Sequence, residues 1–193
     1  MTLQILGGEF KGRKLRVSKT GSTRPTLAIV RKAIFDILQE EVIDSQFLDL
    51  FAGAGGIGFE ALSRGAQHVT FVESDKAAIR CLQENAALLK QEARCTIIGY
   101  DVFLALKKLS SQGKQFDLIY ADPPYAPSTQ FQFLSKLLSF LDEHRLLKPH
   151  GKLFFEEGSP GTFSQEKALN MNTLQHRNSR KFGSSLLHLF ASE

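Results

Sequence analysis

Cysteine is scarce in this chain of 193 residues, with only Cys81 and Cys95 present. They show no C-x-x-C or Cys/His spacing, so neither zinc nor a disulfide framework is expected, and two thiols in a reducing compartment are the simpler reading. Proline is thin as well, at six residues, and the fifteen glycines follow no repeat, which excludes collagen, solenoids and low-complexity disorder. No run approaches the roughly 18 apolar residues of a membrane helix. The N-terminus carries Lys11, Arg13 and Lys14 with no apolar stretch behind them, so no secretion signal is read and a cytoplasmic location is expected. Gly7-x4-Gly12 is followed by Arg13-Lys14, which is not a phosphate-binding loop, and there is no H-E-x-x-H or G-x-S-x-G. No metal is expected.

What is present is a globular composition, 42% hydrophobic and 23% charged, enough for one domain with a short appendage. The net charge of +4 is unevenly spread. Residues 1–32 hold eight basic side chains (Lys11, Arg13, Lys14, Arg16, Lys19, Arg24, Arg31, Lys32) against Glu9, a local +7, so the remaining 161 residues carry −3. A basic arm that feeds a polyanion to a mildly acidic body explains this; so does a solvated lysine-rich hairpin.

From residue 46, short β-branched and aromatic runs alternate with helical patterns. Strands are predicted at 46–51, 68–73, 95–98, 116–121 and 151–156, and helices near 57–64, 75–91, 101–109 and 129–141. Such a series makes parallel neighbours with right-handed crossovers and helices on both faces of one sheet. Two extended segments, 171–177 and 185–191, read as a terminal antiparallel pair joined through Asn178–Ser184. Thr2–Leu6 and Lys14–Val17 read as a small hairpin, and a helix is expected from about Thr26. Pro25 divides a basic arm (1–25) from the main domain (26–193).

The first strand runs into Ala52-Gly53-Ala54-Gly55-Gly56-Ile57-Gly58 and then directly into a helix. A side-chain-free turn at a helix N-terminus lets a ligand approach backbone N–H groups. Gly53-x-Gly55-x-x-Gly58 has the dinucleotide spacing, and Glu73 stands 20 residues beyond Gly53 at the end of the second strand, placed for ribose hydroxyls. Asp49, inside the first strand, would repel a pyrophosphate and attract an ammonium or sulfonium. It therefore favours S-adenosylmethionine over NAD if it faces the turn, and not if it caps a neighbouring backbone. Asp101 ends the third strand, where it can accept the adenine amine, cap the helix that begins at Val102, or do both. In Glu73-Ser74-Asp75, Asp75 is the better cap and leaves Glu73 for the ribose.

Asp122-Pro123-Pro124-Tyr125 follows the fourth strand, beside the first across the point where strand order reverses. Two prolines remove two donors and stiffen the loop, fixing its carbonyls as acceptors. Asp122 and the Pro123 carbonyl suit an exocyclic amine on a nucleobase or an amide nitrogen, whose lone pair is delocalised into the ring or carbonyl. Binding both N–H groups turns the nitrogen toward tetrahedral geometry, and Tyr125 stacks on the extruded base. The alternative is a Pro-Pro turn capped by Asp122 with Tyr125 filling a core gap.

These residues are similar to those of S-adenosylmethionine-dependent amino-methyltransferases. Ile5–Leu15, Thr23-Arg-Pro-Thr26 with Val30-Arg31, Phe51–Gly55 with Gly58–Arg64, and Asp122–Tyr125 together resemble the RsmD family of bacterial 16S ribosomal RNA guanine-N2 methyltransferases. The resemblance implies a Rossmann-like class I fold, a seven-stranded sheet of order 3-2-1-4-5-7-6 whose last hairpin is antiparallel, and a small N-terminal β-hairpin. It implies methylation of a guanine N2 amine, guanine 966 by that likeness, in 16S rRNA or an assembling small subunit. The target base would meet Asp122, Pro123 and Tyr125. Cofactor contacts fall on Asp49, Phe51, Gly53, Ala54, Gly55, Glu73, Ser74, Asp101 and Val102. RNA contacts fall on Lys11, Arg13, Lys14, Arg24, Thr26 and Arg31. The tail Arg177–Gly183 matches the family loosely. A monomer is expected. The competing readings are a DNA or RNA adenine-N6 methyltransferase, an NAD-dependent oxidoreductase, for which no histidine is suitably placed, and a non-catalytic RNA-binding module.

Overall fold

The computed structural model describes residues 3–18, 28–124, 127–158 and 171–193. Arg24, Pro25, Thr26 and Tyr125, all singled out above, lie outside them. Strands β1 (Leu3–Gln4) and β2 (Lys14–Leu15) form the N-terminal hairpin, and α1 (Ala28–Leu38) follows. The alternating series is β3 (Gln46–Leu50), α2 (Gly56–Ser63), β4 (His68–Val72), α3 (Lys76–Leu89), β5 (Cys95–Ile98), α4 (Val102–Ser111), β6 (Phe116–Ala121), α5 (Pro127–Glu143) and β7 (Leu147–Gly158). The terminal hairpin is β8 (Leu174–Phe182) and β9 (Ser185–Ser192).

The large sheet has the order β5-β4-β3-β6-β7-β9-β8. Its first five members are parallel and β9 is antiparallel to both neighbours. Counted from β3, this is the expected 3-2-1-4-5-7-6. The reversal lies between β3 and β6, whose register pairs Asp49 with Tyr120 and Leu50 with Ala121. Because side chains alternate along a strand, each strand feeds two cores. Phe47, Val69, Phe71, Leu118, Tyr120 and Phe154 meet α1, α2 and α3 on one face. Leu48, Leu50, Val72, Ile119, Ala121 and Phe155 meet α4 and α5 on the other.

Two boundaries differ most from the sequence reading. β7 starts at Leu147 rather than 151, because a register shift between Phe116 and Leu118 lets Leu147 pair before Pro149 and His150 interrupt the ladder. β8 runs through Asn178, which a register shift between His176 and Asn178 absorbs, and the turn falls at Gly183, with φ of 59°. The basic hairpin is docked rather than extended. Leu3, Ile5, Phe10 and Leu15 enter the first core, while Glu9 N–H donates to the Ser63 carbonyl (2.7 Å) and Leu6 N–H to Glu60 Oε2 (2.7 Å). Buried Asn85 of α3 joins the chain after β2 to the glycine turn, exchanging bonds with Arg16 N (2.8 Å) and O (3.0 Å) and donating to Ala54 O (3.0 Å).

Asp142, in the last turn of α5, holds the start of the terminal hairpin. Its carboxylate accepts from the backbone N–H groups of Asn172 (2.7 Å) and Thr173 (2.8 Å), and from both of their side chains. Burial pushes its carboxyl upward, but the Thr173 hydroxyl and the Asn172, Thr173 and Leu174 N–H groups outweigh this and hold it below the ordinary range. Asp142→Ala should cost about 2–3 kcal/mol in urea unfolding near neutral pH. A depressed acid contributes its stability above its unfolded value and loses it as pH falls through the folded one, so the gap to wild type should close in strong acid. A variant as stable as wild type at neutral pH removes Asp142 from this role.

Candidate active site

The turn after β3 is shaped by backbone that only certain residues accept. Phe51, though not a glycine, has φ of 61°, a conformation that costs about 1–2 kcal/mol, and its ring is held edge-on to Phe133 at 5.4 Å. Gly53 has φ of 55°, and nothing lies within 4 Å of where its Cβ would be, so open space borders the turn. Gly58 serves packing instead: a Cβ there would sit 2.2 Å from Phe71, so α2 lies tight on β4.

Two carboxylates, Asp49 and Glu73, tie this turn to the strand ends. Asp49 is 1% exposed, and its Oδ2 accepts from Gly58 N–H at 2.9 Å. The capping reading is therefore realised, and the other oxygen, Oδ1, receives no donor among the described residues. Glu73 Oε2 accepts from Gly53 N–H, and its Oε1 from Ser74 and Asp75 N–H, each at 2.8 Å. Asp75 caps α3 through Ala78 N–H at 2.8 Å, as its position suggested. Asp101 is exposed and caps α4 through Phe103 N–H at 2.9 Å, with Val102 buried behind it. Ala54 is half-buried and Ser74 exposed on the same rim.

Asp122 leaves the end of β6 partly buried, Pro123 is buried and Pro124 exposed. Burial raises the Asp122 carboxyl well above the ordinary range, and the neighbouring charges of Glu156 and Asp49 raise it further. Asp122 follows Ala121, the register partner of Leu50, so the proline loop and the glycine turn leave adjacent strand ends. Burial also pushes Asp49 up to about 7, against the Gly58 N–H that lowers it and with Glu73 adding to the rise.

Glu156 is a residue that the sequence reading missed. It follows Phe155, the register partner of Ala121, is buried, and accepts the Tyr120 hydroxyl at 2.7 Å. The available signal was an acidic pair closing an otherwise apolar strand.

Residues proposed for RNA divide. Lys11, Arg13 and Lys14 are exposed, with Arg13 Nη2 also donating to Leu88 O at 3.0 Å. Arg31 is corrected: at 3% exposure it points inward from α1, where Nη1 donates to Gln4 O (3.0 Å) and lies 3.9 Å from Glu60, so it offers RNA no surface. Arg177, Arg180 and Lys181 stand exposed on β8, at the edge of the large sheet.

Residues 3–191 match the family model described as conserved hypothetical protein 95. Ribosomal RNA small subunit methyltransferase D of Haemophilus influenzae is 36% identical over 155 residues, covering 80% of this chain and 78% of that protein. Its Escherichia coli namesake is 32% identical over 154 residues, covering 80% and 74%. The chain belongs to the RsmD family.

The structure agrees. The Escherichia coli protein yhhF superposes with a TM-score of 0.83 at 26% identity, covering 100% of this chain and 99% of that one. The Thermus thermophilus 16S rRNA N2 G1207 methyltransferase, solved with AdoMet and guanosine, shares the fold with a TM-score of 0.70 at 23% identity, covering 100% of this chain and 50% of that one. This RsmD-family chain is an S-adenosylmethionine-dependent methyltransferase.

Its residues fit that cofactor. Buried Asp49, one of whose oxygens has no donor among the described residues and which feels the Glu73 charge, suits a cationic ligand, and Gly53 leaves room beside the turn. A pyrophosphate would meet like charge there. No helix among the described residues is long and apolar enough to cross a membrane, and no metal-binding cluster is found among them.

A carboxyl that is raised on folding favours the folded state fully below its unfolded value and loses that advantage as pH rises through the folded one. Asp122→Asn, which cannot ionise, should therefore gain Tm over wild type as pH rises from 5 to 8, ~1 kcal/mol or about 2–4 °C for a chain of this size. An equal difference at both pH values contradicts buried, mutually repelling carboxylates.

Proposed function

We propose that this RsmD-family enzyme methylates the exocyclic N2 amine of a guanine in 16S rRNA, in the cytoplasm and on RNA or an assembling small subunit. The observation that carries this reading is the in-register pairing of β3 with β6, from whose adjacent ends the glycine turn and the Asp122-Pro123 loop depart, together with the mutual repulsion of Asp122, Asp49 and Glu156. The names of the curated relatives support ribosomal RNA as the substrate.

The bound cofactor supplies a methyl group on a positively charged sulfur. Everything else falls to the chain. Glu73 holds the ribose hydroxyls with the lone pairs left over from its three backbone N–H partners, and Asp101 meets the adenine amine while capping α4. Asp49 receives the cationic end. Asp122 and the Pro123 carbonyl accept the two N–H groups of the target amine. As the nitrogen's lone pair withdraws from the ring and faces the methyl, positive charge grows on nitrogen, which fixed acceptors stabilise more in the transition state than in the ground state. Asp122 then takes the proton or passes it to water. Tyr125 stacks on the extruded base, while Lys11, Arg13 and Lys14 hold phosphates.

Incubation of ribosomal particles lacking the modification with labelled cofactor, followed by nucleoside analysis, should give N2-methylguanine in 16S rRNA. Methyladenine, or label on DNA alone, contradicts the assignment. Asp122→Ala should retain cofactor binding and lose methyl transfer by about 10²-fold or more; near-normal turnover removes Asp122 from the mechanism. Charge reversal at Lys11 and Lys14 should weaken RNA binding and reduce its salt slope by roughly one unit per lost phosphate contact. Unchanged affinity returns the hairpin to a solvated surface.

A further inference from the structure

Arg31 carries a cost that the fold alone does not offset. Arg31 is 3% exposed, yet among the described residues its Nε donates to no acceptor. Among the described residues only Nη1 is hydrogen-bonded, to the Gln4 carbonyl. The nearest carboxylate, Glu60 at 3.9 Å, is already shared: Oε2 accepts from Leu6 N–H and Oε1 from Arg64 Nε at 2.8 Å. Burial lowers the arginine's proton affinity, and the acidic groups of Glu60 and Tyr120 partly restore it. A buried donor without an acceptor costs about 1–3 kcal/mol, so a structural strut alone would be a poor use of an arginine here.

Its position suggests what completes it. The Arg31 stem passes 3.8 Å from where a Cβ on Gly56 would lie, against the first residue of α2 and beside the glycine turn. By strand alternation, Asp49 shares the sheet face of Phe47 and Tyr120, the face on which α1 packs. Along the carboxyl edge of the sheet the order is β5, β4, β3, β6. With adenine at Asp101 after β5 and ribose at Glu73 after β4, the amino-acid end of the cofactor comes over β3, between Asp49 and α1. That end is a zwitterion. Asp49 suits its ammonium, and the Nε side of a planar guanidinium suits a carboxylate, which it can bind through two parallel N–H bonds.

We infer that Arg31 binds the α-carboxylate of S-adenosylmethionine through its Nε edge. The inference rests on the cofactor placement given above and makes Arg31 a cofactor-binding residue rather than an RNA contact.

The test compares S-adenosylmethionine with its decarboxylated form, which lacks only the carboxylate, by calorimetry on wild type, Arg31→Lys and Arg31→Gln. Wild type should prefer the complete cofactor by about 100-fold. Arg31→Gln should lose at least ~10-fold for the complete cofactor and bind the decarboxylated form as well as or better than wild type, with Arg31→Lys between. Equal losses for both ligands, or none, overturn the inference. Should the variants fail to fold, the Nε–H resonance of Arg31 in wild type, labelled with ¹⁵N-arginine, should shift downfield with the complete cofactor and stay put with the decarboxylated one. A resonance indifferent to the carboxylate overturns it equally. Wild type that binds neither ligand would sink the cofactor placement itself, a distinct failure.

Discussion

The organisation of this enzyme depends on an electrostatic imbalance at one end of its sheet. Asp49, Asp122 and Glu156 converge where β3, β6 and β7 end, with Glu73 one strand away. The hydrogen bonds they accept are mostly spent on the protein's own architecture: Gly58 N–H on Asp49, the Tyr120 hydroxyl on Glu156, and Gly53, Ser74 and Asp75 N–H on Glu73. These bonds orient the carboxylates without neutralising them. Such a cluster of carboxylates is destabilised when no cation is near and relieved by a positive charge, so the proposed mechanism joins binding of a sulfonium to the preparation of Asp122 as an acceptor.

The rest of the fold serves that convergence. Parallel pairing of β3 with β6 at the strand-order reversal brings two loops together that are far apart in sequence. The N-terminal hairpin and α1 then close the same face, fastened through Glu60, Ser63 and Asn85. Apart from buried Arg31, basic charge on these elements stays outside. Lys11 and Lys14 are exposed on the hairpin, as are Arg177, Arg180 and Lys181 on β8, leaving an acidic interior behind cationic surfaces. On the proposed function, that separation draws a polyanion to the surface while a neutral base meets the acidic groups.

Much of this was legible in the sequence, because local chemistry dictated it. β5 and β6 fall on the predicted residues, since short apolar runs bounded by polar turns leave little freedom. Asp75 and Asp101 announce their caps by standing directly before helical patterns. Features that depend on distant partners were not legible. Arg31 reads as one more cation in a basic stretch, and only its place on the inward face of α1 shows that it is buried. Glu156 and Asp142 take their meaning from Tyr120 and Thr173, remote in the chain. The early start of β7 and the late end of β8 are register shifts, which side-chain periodicity does not report.

The most direct measurement is the number of protons exchanged on cofactor binding near pH 7, obtained by calorimetry in buffers of different ionisation enthalpy. A cation entering beside Asp49 and Asp122, whose carboxyls burial and mutual repulsion raise, should drive protons out. S-adenosylmethionine should release protons, and S-adenosylhomocysteine, whose sulfur is neutral, should release clearly fewer. Equal exchange with the two ligands, or none with either, would mean that the acidic groups do not sense the sulfonium and would contradict the account.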